Sequence, residues 1–135
     1  MAVVKKRQGF TLIELVIVVL VLGIIAAVAA PKLFEVTTDA RENSTRQSLT
    51  TIRNAIELYR ATSGFYPPAA SLQTTLQPSL QGGTFPSAQI GTNMDDSSVR
   101  SFTGAFAASG SNGWAYNETN GEFHLNDPSP EYSAW

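Results

Sequence analysis

A run of twenty-one residues, Phe10 to Ala30, contains a single charged side chain, that of Glu14. A helix of this length rises about 30 Å, which matches the hydrocarbon core of a bilayer. Inside a bilayer the backbone must satisfy its own hydrogen bonds, so such a run crosses as a helix. A carboxylate is costly in that environment and is functional by default. The run therefore predicts an N-terminal membrane helix with one functional acidic residue.

A short basic leader precedes this run and carries Lys5, Lys6 and Arg7. Positive charges before an apolar segment predict a cytoplasmic N-terminus, with everything after the segment outside. A cleaved secretory signal is the alternative, because Ala27-Val28-Ala29 resembles a small-residue cleavage site. The apolar run is long for a signal peptide, and helix-compatible sequence continues for about thirty residues beyond it. These two features favour a retained helix.

The segment Lys32–Thr62 contains neither proline nor glycine and continues the helical pattern. Its apolar residues Leu49, Ile52, Ile56 and Tyr59 recur at spacings of three and four, which predicts a single buried stripe. Residues 37–48 are almost entirely polar and are expected to be a solvated stretch of the same helix. A serine, a glycine and two prolines soon after the segment predict that the helix ends near residue 62.

The C-terminal part contains a strong hairpin signal. Trp114 and Tyr116 alternate before the turn pair Asn120-Gly121, and Phe123 and Leu125 alternate after it. We interpret residues 65–98 as an ordered connecting loop with a helical turn at 71–76. A further strand is predicted at 99–108. The tail at 127–135 is expected to be extended, and its aromatic residues are expected to dock on the body or on a neighbour.

The N-terminal pattern resembles a known processing motif. A basic leader ending in Gly9, then Phe10, then Glu14 as the fifth residue of the apolar helix, looks like the cleavage and methylation motif of type IV prepilins, which the pseudopilins of type II secretion share. The match covers Lys5 to roughly Pro31. Residues 57–67, at the end of the helix, also resemble the same region of the major pseudopilin of type II secretion.

The resemblance implies that a prepilin peptidase cuts between Gly9 and Phe10 and that the new Phe10 amine is methylated. It also implies an α+β, pilin-like fold, in which a long N-terminal helix packs on a small antiparallel sheet. The expected organisation is a leader over 1–9, a transmembrane and assembly helix over 10–31, and a periplasmic domain over 32–135. That domain divides into helix 32–62, loop 65–98, sheet 99–126 and tail 127–135.

Two roles are open for Glu14. Its carboxylate seeks a cation in lipid, and the Phe10 amine of a neighbouring subunit, created by the cut, would set the register of a filament. Alternatively, Glu14 caps its own helix end or pairs with its own Phe10 amine. The favoured prediction is the role in filament assembly.

Composition excludes several other functions. The chain has no cysteine, and from Lys32 onward six basic side chains face ten acidic ones, which is a poor footprint for nucleic acid. The single histidine, His124, is expected to face solvent on a strand, and no catalytic set, phosphate loop or cofactor site appears. Related pseudopilins often bind calcium, but the carboxylates available here lack a tight liganding spacing, so no metal site is predicted: Asp95, Asp96, Asp127 and Glu131.

We therefore expect a non-enzymatic structural subunit of a type II secretion pseudopilus or type IV pilus-like filament. The resemblance implies a homo-oligomeric helical filament, a prepilin peptidase, and a membrane assembly platform with its cytoplasmic ATPase as partners. It also implies a single-pass protein of the bacterial inner membrane. Two alternatives stay open: a minor pilin that binds DNA or a surface at the filament tip, and a membrane-anchored periplasmic domain that never polymerises.

Overall fold

One long helix and a small sheet dominate the computed structural model, which describes residues 9–132 and 135. Helix α1 runs from Leu12 to Ser63, within two residues of the predicted bounds of 10 and 62. The chain divides into two compact units, Met1–Thr37 and Thr38–Trp135, and the division falls within α1. The basic residues of the leader lie outside the described residues.

The end of α1 is formed by the predicted glycine. Gly64 has a φ of 82°, a left-handed conformation that glycine adopts without strain. Its N–H donates to the carbonyl of Arg60 at 2.8 Å, which closes the last turn. Pro67 and Pro68 follow and cannot continue the helix.

In the second unit, the predicted stripe of α1 forms the centre of a hydrophobic core. Leu49, Ile52 and Ile56 are buried, and Tyr59 is partly buried against them. The opposite wall is provided by the strands, and the loop between helix and sheet supplies several further apolar anchors: Leu72, Leu76, Leu80 and Ile90. Burial of each such side chain stabilises a fold by about 1.5–3 kcal/mol before entropy is considered.

Three short strands form a mixed sheet in the order β1-β2-β3: β1 is Val99–Ser101, β2 is Trp114–Tyr116 and β3 is Phe123–Leu125. Strands β2 and β3 pair antiparallel across the predicted turn, where the Gly121 N–H donates to the Asn117 carbonyl at 2.9 Å. The α+β pilin-like fold is thus confirmed, because the second half of α1 packs on this sheet.

The expectation of a wholly antiparallel sheet is wrong for β1, which pairs with β2 in parallel and is shorter than the predicted strand over 99–108. A parallel pair needs a crossover connection of about a dozen residues. Residues 102–113 provide it, and their glycines interrupt the strand pattern. The Arg100 guanidinium fastens this crossover loop by donating to the Ala107 carbonyl at 2.6 Å.

The connecting region is ordered by short helices as well as by its apolar anchors. The predicted helical turn is confirmed as helix α2, Leu72–Leu76. Three 3₁₀ turns accompany it: Ala69–Ser71, Gln77–Ser79 and Gln81–Gly83.

Arginines spaced seven residues apart on α1 each contact a different part of the body. The Arg46 guanidinium carbon lies 3.8 Å from the centre of the Trp135 ring. Arg53 donates through Nε and Nη2 to the Phe123 carbonyl, at 2.9 and 2.7 Å. Arg60 Nη1 donates to the hydroxyl of Tyr66 at 2.6 Å. The tail, the hairpin and the loop after the helix therefore each contact α1. For the tail, this is a contact with the body, one of the two placements predicted for its aromatic residues.

Candidate functional site

The backbone around the predicted cleavage position is open. Gly9 and Phe10 precede α1 and have no regular secondary structure. The Phe10 side chain is 86% exposed, and none of the described residues lies within 4 Å of the position that a Cβ on Gly9 would occupy. A peptide bond in this setting is accessible to a peptidase without unwinding of the helix.

Glu14 is held by a hydrogen-bonded cap at the start of α1. Its Oε2 accepts from both the N–H and the Oγ1 of Thr11, at 2.8 and 2.7 Å. The Glu14 N–H lies 3.3 Å from the same Thr11 Oγ1 and donates to it. This reciprocal arrangement is a capping box, with Thr11 as the N-cap. Thr11 was not singled out from the sequence, although its spacing of three from Glu14 is the signature of such a box.

The two oxygens of Glu14 differ in their contacts. Within the described part of the chain, Oε1 of Glu14 makes no hydrogen bond or ion pair. A carboxylate has lone pairs on both oxygens, so self-capping through Oε2 leaves an acceptor for a second donor. The two roles considered for Glu14 are therefore geometrically compatible.

The surface behind Glu14 is apolar on all sides. Every large hydrophobic side chain from Leu12 to Val28 is between 43% and 81% exposed. Among the described residues, α1 is the one helix long and apolar enough to cross a membrane, as judged by length and composition. A surface of this size needs a cover, because exposed apolar patches of soluble monomers rarely exceed a few hundred Å².

Two groups of side chains that could bind a ligand or carry a modification have structural roles instead. Trp114 and Tyr116 are fully buried, and their polar atoms donate to proline carbonyls of the connecting loop, Nε1 to Pro86 and the hydroxyl to Pro67, both at 2.9 Å. Asn117, which opens a glycosylation-like sequence, is 2% exposed and accepts from the Thr119 N–H. These side chains are committed to the core and to a turn.

His124 is only partly exposed, so the expectation that it faces solvent is met in part. Its ring stacks on that of Phe106 with centres 4.3 Å apart and planes 8° apart, and Nδ1 lies 2.8 Å from the Trp135 carbonyl. The crossover loop lies over this face of β3, which a strand pattern alone does not reveal.

The carboxylates considered for calcium do not form a cation site. Both oxygens of Asp96 accept from Ser98, and those of Asp127 accept from the backbone of Thr92 and Ser129. Within the described ranges, no three metal-ligating side chains come together. Calcium takes six to eight oxygen ligands, and the carboxylate oxygens of Asp96 and Asp127 already accept hydrogen bonds.

Comparison with known proteins supports the interpretation of the N-terminal segment. The family described as "Prokaryotic N-terminal methylation motif" matches residues 4–30. That segment contains Gly9, Phe10 and Glu14, so the N-terminal part of this chain matches a known N-terminal methylation motif.

Three relatives are similar over part of the chain. Type II secretion system core protein G of Vibrio cholerae is 32% identical over 63 residues, 47% of this chain and 43% of the relative. The same protein of Aeromonas hydrophila is 33% identical over 64 residues, 47% and 45%. The type IV narrow pilus major component PilA5 of Thermus thermophilus is 36% identical over 50 residues, 37% and 43%.

Each match spans less than half the length of the curated relative. No solved structure matches the chain. The motif and the relatives nevertheless confirm the predicted resemblance to the pilin and pseudopilin family.

Proposed function

We propose that this chain is a structural subunit of a type II secretion pseudopilus or of a type IV pilus-like filament. It is made as a precursor, is cut between Gly9 and Phe10 by a prepilin peptidase, and is methylated on the new Phe10 amine. Before assembly it is a single-pass protein of the bacterial inner membrane, with a cytoplasmic N-terminus and residues 32–135 on the other side. A membrane platform and its cytoplasmic ATPase move it into the filament.

The observation that supports this proposal most strongly is an apolar helical surface that carries one carboxylate. The side chains of residues 12–28 are exposed on every side of α1. Lipid covers such a surface in the membrane, and equivalent helices of neighbouring subunits cover it in a filament core. Both environments are apolar, so the exchange between them requires little change in solvation.

The carboxylate of Glu14 favours the filament over the lipid environment. A charge at the centre of a membrane helix costs roughly 2.5–3.5 kcal/mol on insertion scales. The cost is smaller in the first turn, where the helix dipole and the Thr11 cap favour the carboxylate. We infer that Oε1 of Glu14 accepts from the Phe10 amine of a neighbouring subunit, while Oε2 keeps its bonds to Thr11. That amine exists only after cleavage, so assembly would be restricted to processed subunits.

The test is charge reversal at Glu14 in cells that express the filament system. We expect Glu14→Lys to insert and to be cut, because neither step uses the carboxylate, but to form no filaments. The mature N-terminus is checked by mass spectrometry. Assembly is measured by cross-linking of cysteines introduced on α1, which is unambiguous because the chain has no cysteine of its own.

Glu35→Lys is the matched control, since Glu35 is exposed on the same helix beyond the apolar run. It is expected to give the same ladder of cross-linked multimers as the parent chain. Unchanged ladders in Glu14→Lys would refute the assembly role. Absence of ladders even in the parent chain would favour a membrane-anchored domain that does not polymerise.

A further inference from the structure

Five Asn and Asp side chains join three loops at the C-terminal end of the second unit. We call this set the loop clasp; it consists of Asn93, Asp96, Asn112, Asn126 and Asp127. The loops are residues 88–98 before β1, residues 109–113 before β2, and residues 126–129 after β3. No two of these loops are adjacent in sequence, so hydrogen bonds between them fix the relative position of three strand ends.

Asp127 ties the segment after β3 to the first loop. Its side chain is buried, with 2% of the residue exposed, and its Oδ2 accepts from the Thr92 N–H at 2.5 Å. Its Oδ1 accepts from the Ser129 N–H at 2.9 Å. Gly91 makes room for this contact, because a Cβ there would lie 2.5 Å from Oδ2. Its φ of 86° is also one that favours glycine.

The side-chain amides of Asn126 and Asn93 join the second loop to the other two loops. Asn126, 1% exposed, accepts from the Ser109 N–H at 3.0 Å and donates to the carbonyls of Ser111 and Asn112. Asn93 Nδ2 donates to the carbonyl of Gly110 at 2.7 Å and to that of Asn112 at 3.1 Å.

The second and first loops are joined once more through Ser98. Asn112 Nδ2 donates to Ser98 Oγ at 2.8 Å. The same serine donates from its hydroxyl and from its N–H to Asp96, at 2.7 and 2.8 Å. Asp96, Ser98 and Asn112 are partly exposed, whereas Asn126 and Asp127 are buried. Removal of a partner of the two buried side chains leaves polar groups at the cost of desolvation.

The clasp leaves no place for a cation at its centre. Amide nitrogens of Asn93 and Asn126 point at backbone carbonyls, so these oxygens are already paired with donors. The gap between Ile90, Asn112 and Asp127 is too small to hold a water molecule. The residues therefore do not fit the calcium that the resemblance to pseudopilins implies.

We propose that the hydrogen bonds of the loop clasp hold these three loops together in place of a bound cation. The fold of residues 38–135 is then independent of divalent cations and depends on Asp127. The proposal does not rest on the proposed function, since it concerns how the C-terminal loops are held. It applies to the monomer in detergent as well as to an assembled subunit.

The experiment uses the full chain in detergent micelles, with thermal unfolding followed by circular dichroism. The parent chain is expected to have the same Tm in excess EGTA as in millimolar calcium chloride, and to show no heat of calcium binding by titration calorimetry. A higher Tm in calcium, or a lower one in EGTA, would overturn the proposal. This comparison needs no variant and so does not depend on a mutant that folds.

Asp127→Asn is nearly the same shape but turns an NH₂ group towards a backbone N–H donor, and it is expected to lower the Tm by about 5–10 °C. Asp95→Asn is the matched control, because Asp95 is exposed and has a φ of 62° that asparagine tolerates. It is expected to leave the Tm unchanged. An Asp127→Asn chain as stable as the parent would show that the clasp does not hold the loops.

Discussion

Thr11 and Glu14 form the smallest unit of this molecule to which a function is assigned. The glutamate was expected to be either a cap for its own helix or a partner for a neighbouring amine. The capping box uses Oε2 for the first role and leaves Oε1 for the second. Thr11 is therefore a positioning residue, since its two bonds hold Oε2 and leave Oε1 for a second donor.

Substitution of Thr11 tests this positioning. Thr11→Val keeps the shape but removes Oγ1, and loss of an N-cap hydroxyl costs about 0.5–2 kcal/mol. We expect a several-fold loss of filaments per mature subunit, counted by electron microscopy and normalised to cleaved protein by mass spectrometry. Thr11→Ser keeps the hydroxyl and is expected to restore assembly. Equal filament yields from the valine and serine variants would contradict the positioning role.

At the scale of elements, the features predicted correctly are those set by residues close together in sequence. The bounds of α1, its buried stripe and the β2-β3 hairpin follow from periodicity and from turn residues a few positions apart. The parallel pairing of β1 could not be found this way, because the crossover loop sets it. Thr45 was likewise placed in a solvated stretch but is buried, since its Oγ1 accepts from Gln89 N–H, 44 residues away.

The same limit applies to the candidate site. Gly9, Phe10 and Glu14 stand in one short motif and were predicted together. The Thr11 cap is equally local and was available from its spacing. The loop clasp was not, because it joins Asn93 to Gly110 and Asp127 to Thr92, and no sequence pattern links positions so far apart.

The stripe of α1 makes a quantitative prediction for the element. Ile56 is fully buried in the core of the second unit, whereas Leu58, two residues on, is 56% exposed. Ile56→Ala is expected to lower the free energy of unfolding by about 2–5 kcal/mol through lost burial and a residual cavity. Leu58→Ala is the control and should change it by less than about 0.5 kcal/mol. Chemical denaturation followed by tryptophan fluorescence measures both, and similar losses would contradict this packing.

At the scale of the whole molecule, acid should weaken the fold through the clasp. Burial opposes ionisation of Asp127, but hydrogen bonds from Ser129 and Thr92 outweigh it and lower the pKa of Asp127. Hydrogen bonds from the Ser98 backbone and hydroxyl lower the pKa of Asp96. The unfolded chain therefore takes up protons at a higher pH than the folded chain.

It follows that the stabilisation is fully present above the ordinary carboxyl pKa of 3.8 and is lost as the pH falls through the lower folded values. The Tm of the parent chain is expected to be flat near neutral pH and to drop below about pH 4. Asp127→Asn should show a shallower drop, because one of the two linked groups is gone. Identical pH profiles for the two chains would exclude Asp127 as a source of the acid sensitivity.

The position of the hairpin in the chain imposes an order of events during synthesis. The apolar stripe of α1 ends at Tyr59, but the strands that cover it lie at residues 114–125. A ribosome adds about 5–20 residues per second, so the stripe waits several seconds for its cover. During that interval helix α1 has been synthesised, but its apolar stripe has no strands to pack against. The core of the second unit can therefore close only after β3 has been synthesised, however early its helix is made.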